Sequence, residues 1–296
     1  TDISQTNNPA GGQAYEYTYD NIGNRSSTYE GTQNRAFAYT ANQLNQYSQR
    51  TVPGYIEVLG SANTGATVTV NSNATTRQGA YYWKELAVSN ASSAAYPAVN
   101  VLGVRKNAGP GGTDVVTTVT GSMFVAKTPE LFGYDWDGNM TNDGRFSYSW
   151  DGENRLTGAT NAGTVAGYSY DFMSRRYQKG VGDATNTFLW DGWLLAQEVS
   201  VSGGTAITNA YCWGLDLSGS LQGAGGIGGL LSVTRNGVTY YPLSDANGNI
   251  TDYLDTNGVV VAHREYDAYG NTVVATGPLV HELHFWFSSK YLDEET

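Results

Sequence analysis

The sequence predicts an all-β chain of consecutive strand-turn-strand repeats, with a small β-sandwich-like module inserted among them. Three observations lead to this. First, Gly (37 of 296 residues) and Tyr (22) are abundant, and Thr, Asn, Ser and Val accompany them. Aromatic and β-branched residues fit a pleated surface, while Gly and Asn supply the positive-φ positions of tight turns. Second, a short motif returns along the chain: aromatic, any residue, aromatic, then Asp or Thr. Third, no window of about 12 residues carries helical spacing of apolar side chains. The nearest, Trp193–Val199, is too short.

Residues 1–50 carry the motif as Tyr17-Thr-Tyr19-Asp20, with Gly23 in the turn behind it, and as Phe37-Ala-Tyr39-Thr40. Residues 51–130 break the period. They hold short alternating runs, such as Ala66–Val70 and Val115–Val119, separated by turn signals such as Asn107–Gly112. That pattern predicts the inserted sandwich-like module, read as a spacer in preference to a sugar binder. In residues 131–296 the motif resumes as Phe132-Gly-Tyr134-Asp135 with Gly138, and as Tyr148-Ser-Trp150-Asp151. It continues as Tyr168-Ser-Tyr170-Asp171 and Phe188-Leu-Trp190-Asp191. Two degraded copies follow, Tyr211-Cys-Trp213-Gly214 and Arg264-Glu-Tyr266-Asp267, the second with Gly270.

The chemistry of one unit explains its residues. Positions i and i+2 of a strand share a face, so both aromatics point the same way. The Asp side chain ends the strand by bonding the backbone two residues on, and Gly-Asn turns the chain. One such hairpin cannot bury its aromatic face alone, whereas stacked copies can. The paired rings are therefore expected to hold successive hairpins together.

Composition and motifs also exclude. With 16 Lys and Arg against 27 Asp and Glu, the net charge is −11, which repels phosphate backbones and argues against a nucleic-acid partner. One cysteine permits neither an internal disulfide framework nor a cysteine-rich zinc site. No apolar stretch approaches the ~18–20 residues of a membrane span. Gly223-Ala-Gly-Gly-Ile-Gly228 matches G-x-G-x-x-G but lacks the strand before and helix after that a dinucleotide needs. Asp135–Asn139 and Asp245–Asn249 are spaced as Asx-Gly turns, not as calcium loops. His281-Glu-Leu-His284 has its histidines at i and i+3, in a stretch that reads as strand, where the zinc motif needs i and i+4. His263 has no evident Asp or Ser constellation, and Cys212 reads as a packed thiol. No catalytic, metal or cofactor site is expected, and the chain reads as a non-enzyme.

The repeat is similar to the Tyr-Asp (YD) repeat of the RHS (rearrangement hot spot) family, whose units read Tyr-x-Tyr-Asp-x-x-Gly-Asn/Arg. The segments Asp216–Leu230, Asp245–Asn249, Glu265–Asn271 and Phe287–Thr296 resemble the RHS repeat-associated core. The likeness covers about residues 10–50 and 131–296, the second stretch holding repeats and part of that core. It implies an open piece of a spiral β-shell that encloses a C-terminal effector or toxin domain. The implied partners are the rest of that shell and the effector, and the implied location is secreted or at the cell surface. Carbohydrate binding or cell-surface adhesion is the alternative role. Because residue 1 is Thr and the family's core normally runs further, the chain reads as part of a longer polypeptide.

Overall fold

The computed structural model describes residues 15–30, 35–267 and 269–296. Strands form almost all of the regular structure, joined by two single 3₁₀ turns at Pro110–Gly112 and Phe287–Ser289. No described helix is long and apolar enough to cross a membrane. The chain divides into two compact units, Thr1–Gly133 with Asn142–Arg145, and Tyr134–Thr141 with Phe146–Thr296.

The first unit begins with antiparallel hairpins. Tyr15–Tyr19, Arg25–Glu30, Arg35–Ala41 and Tyr47–Arg50 pair in chain order, and Glu130–Leu131 adds the fifth strand beside Tyr47–Arg50. The chain therefore leaves this sheet at Arg50 and returns to it at Glu130, directly alongside. Arg50 Nε donates to the buried Glu130 carboxylate at that junction. An insert whose ends lie this close disturbs its host little.

Between those points the chain builds two small sheets. One has the order Val115–Ser122, Ala98–Arg105, Thr67–Val70, Asn73–Ala74, and the other has Tyr81–Ala87 between Tyr55–Ser61 and Thr76–Gln78. Ile56 and Val58 from one sheet and Val70 and Val99 from the other share a single core with Val52, Val125 and Ala126. Facing sheets with one apolar layer between them are a sandwich. Buried Asn90 donates to Val52 O (3.0 Å) and Ala126 O (2.9 Å), tying the entering chain to the leaving chain. Arg77 is spent on backbone, donating to the carbonyls of Ala66 (3.0 Å), Ala62 (3.1 Å) and Asn63 (3.2 Å).

The second unit is dominated by one antiparallel sheet of 14 strands among the described residues, running from Gly133–Tyr134 to Thr272–Thr276 in unbroken chain order. The sheet is open, with those two strands at opposite ends of the order. Trp193–Val199, the nearest approach to a helical pattern, lies largely in the strand Leu194–Ser202. After the last strand, residues 279–296 leave the ladder and pack on the sheet. Val280, Leu283, Phe285 and Trp286 join Phe188, Leu195, Tyr211, Leu230, Val233, Ile250, Tyr253 and Ala262 in one buried cluster. Ion pairs anchor this segment: Arg176 and Lys179 reach Asp293 (both 2.8 Å), Lys179 also reaches Glu295 (2.8 Å), and Arg264 meets Glu294.

Candidate functional site

The repeat motif builds the same turn many times. Asp20 Oδ1 accepts from the N–H groups of Ile22 (3.0 Å) and Asn24 (2.8 Å), and its Oδ2 accepts from Asn24 Nδ2 (3.0 Å). Asp135 does the same with Asp137, Asn139 and Asn139 Nδ2. At Asp151 and Asp171 the last donor is an arginine, Arg155 Nε and Arg175 Nε, each at 2.8 Å. Asp245 and Asp267 repeat the asparagine form with Asn249 and Asn271. Asn or Arg closes the motif because each places an N–H donor where the second carboxylate oxygen waits. The fourth position takes positive φ, at Gly23 (91°), Gly138 (88°) and Gly270 (88°), and at Asn154 and Ser174 (both 60°). A register shift accompanies the turns at Asp20, Asp151, Asp171, Asp245 and Asp267, as at Tyr170 opposite Arg176.

Donors converge on Asp20, Asp135, Asp151, Asp171 and Asp245, so these carboxylates stay ionised to lower pH than usual. The Asn139 amide holds Asp135 below its ordinary value, and the Arg155 backbone N–H does so for Asp151. Asp191 is the exception among the motif residues. It stays inside the strand Ala184–Asp191, opposite Leu194, with a two-residue turn behind it.

Two sets of bonds run from one hairpin to the next. Turn reaches turn: Asn24 Nδ2 donates to Asn45 Oδ1 (3.2 Å), and Asn139 Nδ2 to Asn154 Oδ1 (2.9 Å). Arg155 Nη1 reaches Asp171 O (3.3 Å), and Arg175 Nη1 reaches Gly192 O (2.7 Å). The second aromatic of a copy reaches the backbone of the hairpin before it. Trp150 Nε1 donates to Met140 O (2.8 Å), Tyr170 Oη to Leu156 O (2.8 Å) and Trp190 Nε1 to Arg176 O (2.8 Å). Trp213 Nε1 donates to Leu195 O (2.7 Å), and Tyr266 Oη to Ile250 O (2.7 Å). The first aromatics Tyr168, Phe188 and Tyr211 are buried, Tyr148 is half-buried, and the residues between the pairs, Leu189 and Cys212, point outward. In the first unit, Arg25 stacks over Tyr17 (4.8 Å) and Tyr39 (5.8 Å), and Arg50 over Phe37 and Phe132. Tyr134 is half-buried, whereas Tyr19 is 59% exposed.

A second feature has no sequence signature. Glu198 is fully buried and accepts from Asn186 Nδ2 (2.5 Å), Tyr291 Oη (2.7 Å), His284 Nδ1 (2.8 Å) and Tyr211 Oη (2.9 Å). Burial opposes its charge, but His284 and then Tyr291 and Asn186 outweigh burial and hold its pKa at about 2. Two of those donors, His284 and Tyr291, come from the C-terminal segment, so Glu198 fastens that segment to the sheet.

The motifs set aside in the sequence resolve individually. Asp216 fills the glycine loop from within: its carboxylate accepts from Ser218 N (2.9 Å), Ala224 N (2.6 Å) and Gly226 N (3.2 Å), and its pKa falls to about 2, chiefly through the Ser218 hydroxyl. A phosphate would find those amides taken. His281 turns to Glu294 and His284 to Glu198, and Leu283–Phe287 is irregular chain with one bridge at Phe285 before the 3₁₀ turn, not a strand. His263 does have a constellation, between Asp252 (2.7 Å) and Glu265 (3.4 Å), which its sequence neighbours did not reveal. Cys212 is exposed and not packed, because the face opposite its aromatic neighbours is open. Among the described residues no three His, Cys, Asp or Glu side chains gather as a metal site.

No family model matches the chain. Over 171 residues it is 32% identical to a tRNA3(Ser)-specific nuclease WapA of Bacillus spizizenii, and 33% identical to the tRNA nuclease WapA of Bacillus subtilis strain 168. Each match covers 56% of this chain and 7% of the relative, so the chain spans a small part of those proteins. Among solved structures, the Photorhabdus luminescens Tc holotoxin pore carrying TccC3-D651A aligns with 95% of this chain and 14% of its own, at 14% identity and a TM-score of 0.42. TcdB2–TccC3 without its hypervariable C-terminal region aligns at 13% identity and 0.39, covering 94% of this chain and 14% of its own. The nuclease relatives correct one expectation: the reading of the chain as a non-enzyme does not stand, since the proteins sharing its sequence are named for cleaving tRNA. The chain is an all-β protein whose sequence is similar to a small part of the WapA tRNA nucleases.

Proposed function

We propose that this chain is a wall segment of a larger RHS-type toxin. Its laced hairpins form part of a β-shell around a C-terminal effector domain, and the complete polypeptide cleaves tRNA outside the cell that made it, after secretion or from the surface. The observation that carries the reading is the repeated bond from the second aromatic to the hairpin before it, made by Trp150, Tyr170, Trp190, Trp213 and Tyr266. Such a contact adds one hairpin at a time with no built-in stop, which suits a continuous wall. The relatives named as tRNA nucleases supply the class of cargo. The acidic charge of this segment is compatible with enclosing a nuclease while binding no RNA itself. Carbohydrate binding draws support from no relative and is not carried further.

The test uses the longer natural polypeptide that contains this segment. Limited proteolysis should leave its C-terminal domain protected, and Trp150→Phe with Trp190→Phe should expose that domain while tRNA cleavage by the released domain persists. Equal protease sensitivity of the domain in both forms would defeat the shell reading. Absence of tRNA cleavage in both would defeat only the nuclease cargo.

A further inference from the structure

The strand Val115–Ser122 stands at the outer edge of the insert's four-stranded sheet, and every one of its residues is exposed. Its backbone polarity can be followed from its neighbour. Asn100 N donates to Asn71 Oδ1 (2.8 Å), and Asn100 O accepts from Asn71 N (2.8 Å). Asn100 thus turns its backbone groups toward the Thr67–Val70 side, and alternate residues of a strand turn theirs the same way. The odd-numbered residues of Ala98–Arg105 therefore face the outer strand. The register places Val99 opposite Gly121, Val101 opposite Val119 and Gly103 opposite Thr117. Met123 N donating to Pro97 O (3.2 Å) keeps the same parity. The N–H and C=O groups of Val116, Thr118, Thr120 and Ser122 are left on the open edge, with no strand beside them among the described residues.

A row of backbone donors and acceptors at strand spacing takes another extended backbone. We propose that two copies of this chain pair antiparallel through Val115–Ser122, about a two-fold axis at Val119. In that register Val116 lies opposite Ser122, and Thr118 opposite Thr120, so every outward-facing residue finds a partner of the same parity. Val119, 62% exposed, meets its own copy at a non-hydrogen-bonded position, where side chains approach most closely. The pairing also satisfies the charge. Residues Val115–Ala126 carry none, in a chain whose net charge is −11, so two acidic copies meet where no like charges oppose. Val119 opposite its own copy and Thr118 opposite Thr120 are favourable cross-strand pairs.

The full chain with Cys212→Ser is tested by sedimentation velocity and by oxidative cross-linking. A dimer is expected, weakened at least about tenfold by Val119→Lys, which sets two cations on the axis. Val119→Cys should form an interchain disulfide under mild oxidation, and Val116→Cys, opposite Ser122, should not. A monomer at all concentrations, a Val119→Lys protein as dimeric as its parent, or cross-linking equal at both cysteines would overturn the proposal. Circular dichroism identical to the parent confirms that each variant is folded.

Discussion

At the residue scale the fold depends on carboxylates whose charge is kept by geometry. Glu198 is the extreme case. Its ordinary value of 4.5 falls to about 2 in the fold, because His284, Tyr291 and Asn186 prefer the ionised form more than burial disfavours it. A folded value below the unfolded one means that Glu198 contributes its full stability above about pH 4.5, and loses it as pH falls through about 2. The contribution is of order 3 kcal/mol. Urea midpoints measured across that window should drop steeply for the parent. Glu198→Gln should start lower, with Tyr211 and Tyr291 left poorly bonded, and should lose less stability across the same window. Parallel curves would show that Glu198 does not govern the acid response. Nothing in the sequence near Glu198 announces it. Its donors lie 11 to 93 positions away, and only the folded sheet and the returning C-terminal segment bring them together.

At the element scale the hairpin is the unit, and its turn sets its register. Gly23 and Gly270 hold the same left-handed position, at φ 91° and 88°, but their surroundings differ. A Cβ on Gly23 meets nothing within 4 Å, whereas one on Gly270 falls 2.7 Å from the Phe287 ring. Gly23→Ala should therefore cost about 1 kcal/mol of backbone strain, and Gly270→Ala about 2–3 kcal/mol, since the ring must also move. Equal losses in thermal denaturation would mean that Phe287 does not pack against that turn. The turns were the most legible part of the sequence, because an Asp, a Gly and a following Asn or Arg at fixed spacing state their own hydrogen bonds. Two turns escaped the pattern. Asp255 binds Asn257 N and Val259 N without the aromatic pair before it, and Asn42 replaces Asp, its amide then donating to Gln46 Oε1. Asp191 failed in the opposite sense, since Gly192 makes a tighter turn that leaves no loop amides for a carboxylate to collect.

At the scale of the whole molecule, the sequence showed that hairpins follow one another, and the structure shows how they are joined. The aromatic period predicted rings at alternate positions. It did not predict that the indole N–H and phenol O–H of the second ring would cross to the preceding hairpin's carbonyl. That bond depends on the bulge beside each turn, as at Leu156 opposite Trp150, and bulges leave little trace in composition. The C-terminal segment likewise read as strand around His284, because its apolar alternation is spent on covering the sheet and not on extending it. A sheet of hairpins held by nearest-neighbour bonds should respond locally when one bond is removed. Native-state hydrogen exchange on the parent and on Tyr170→Phe, which deletes the bond to Leu156 O, tests this most directly. The account predicts faster exchange in the strands Leu156–Thr160, Val165–Tyr170 and Arg176–Val181, with Ile250–Leu254 and Val260–Tyr266 unchanged. Uniform acceleration across all these strands, or none at all, would contradict it.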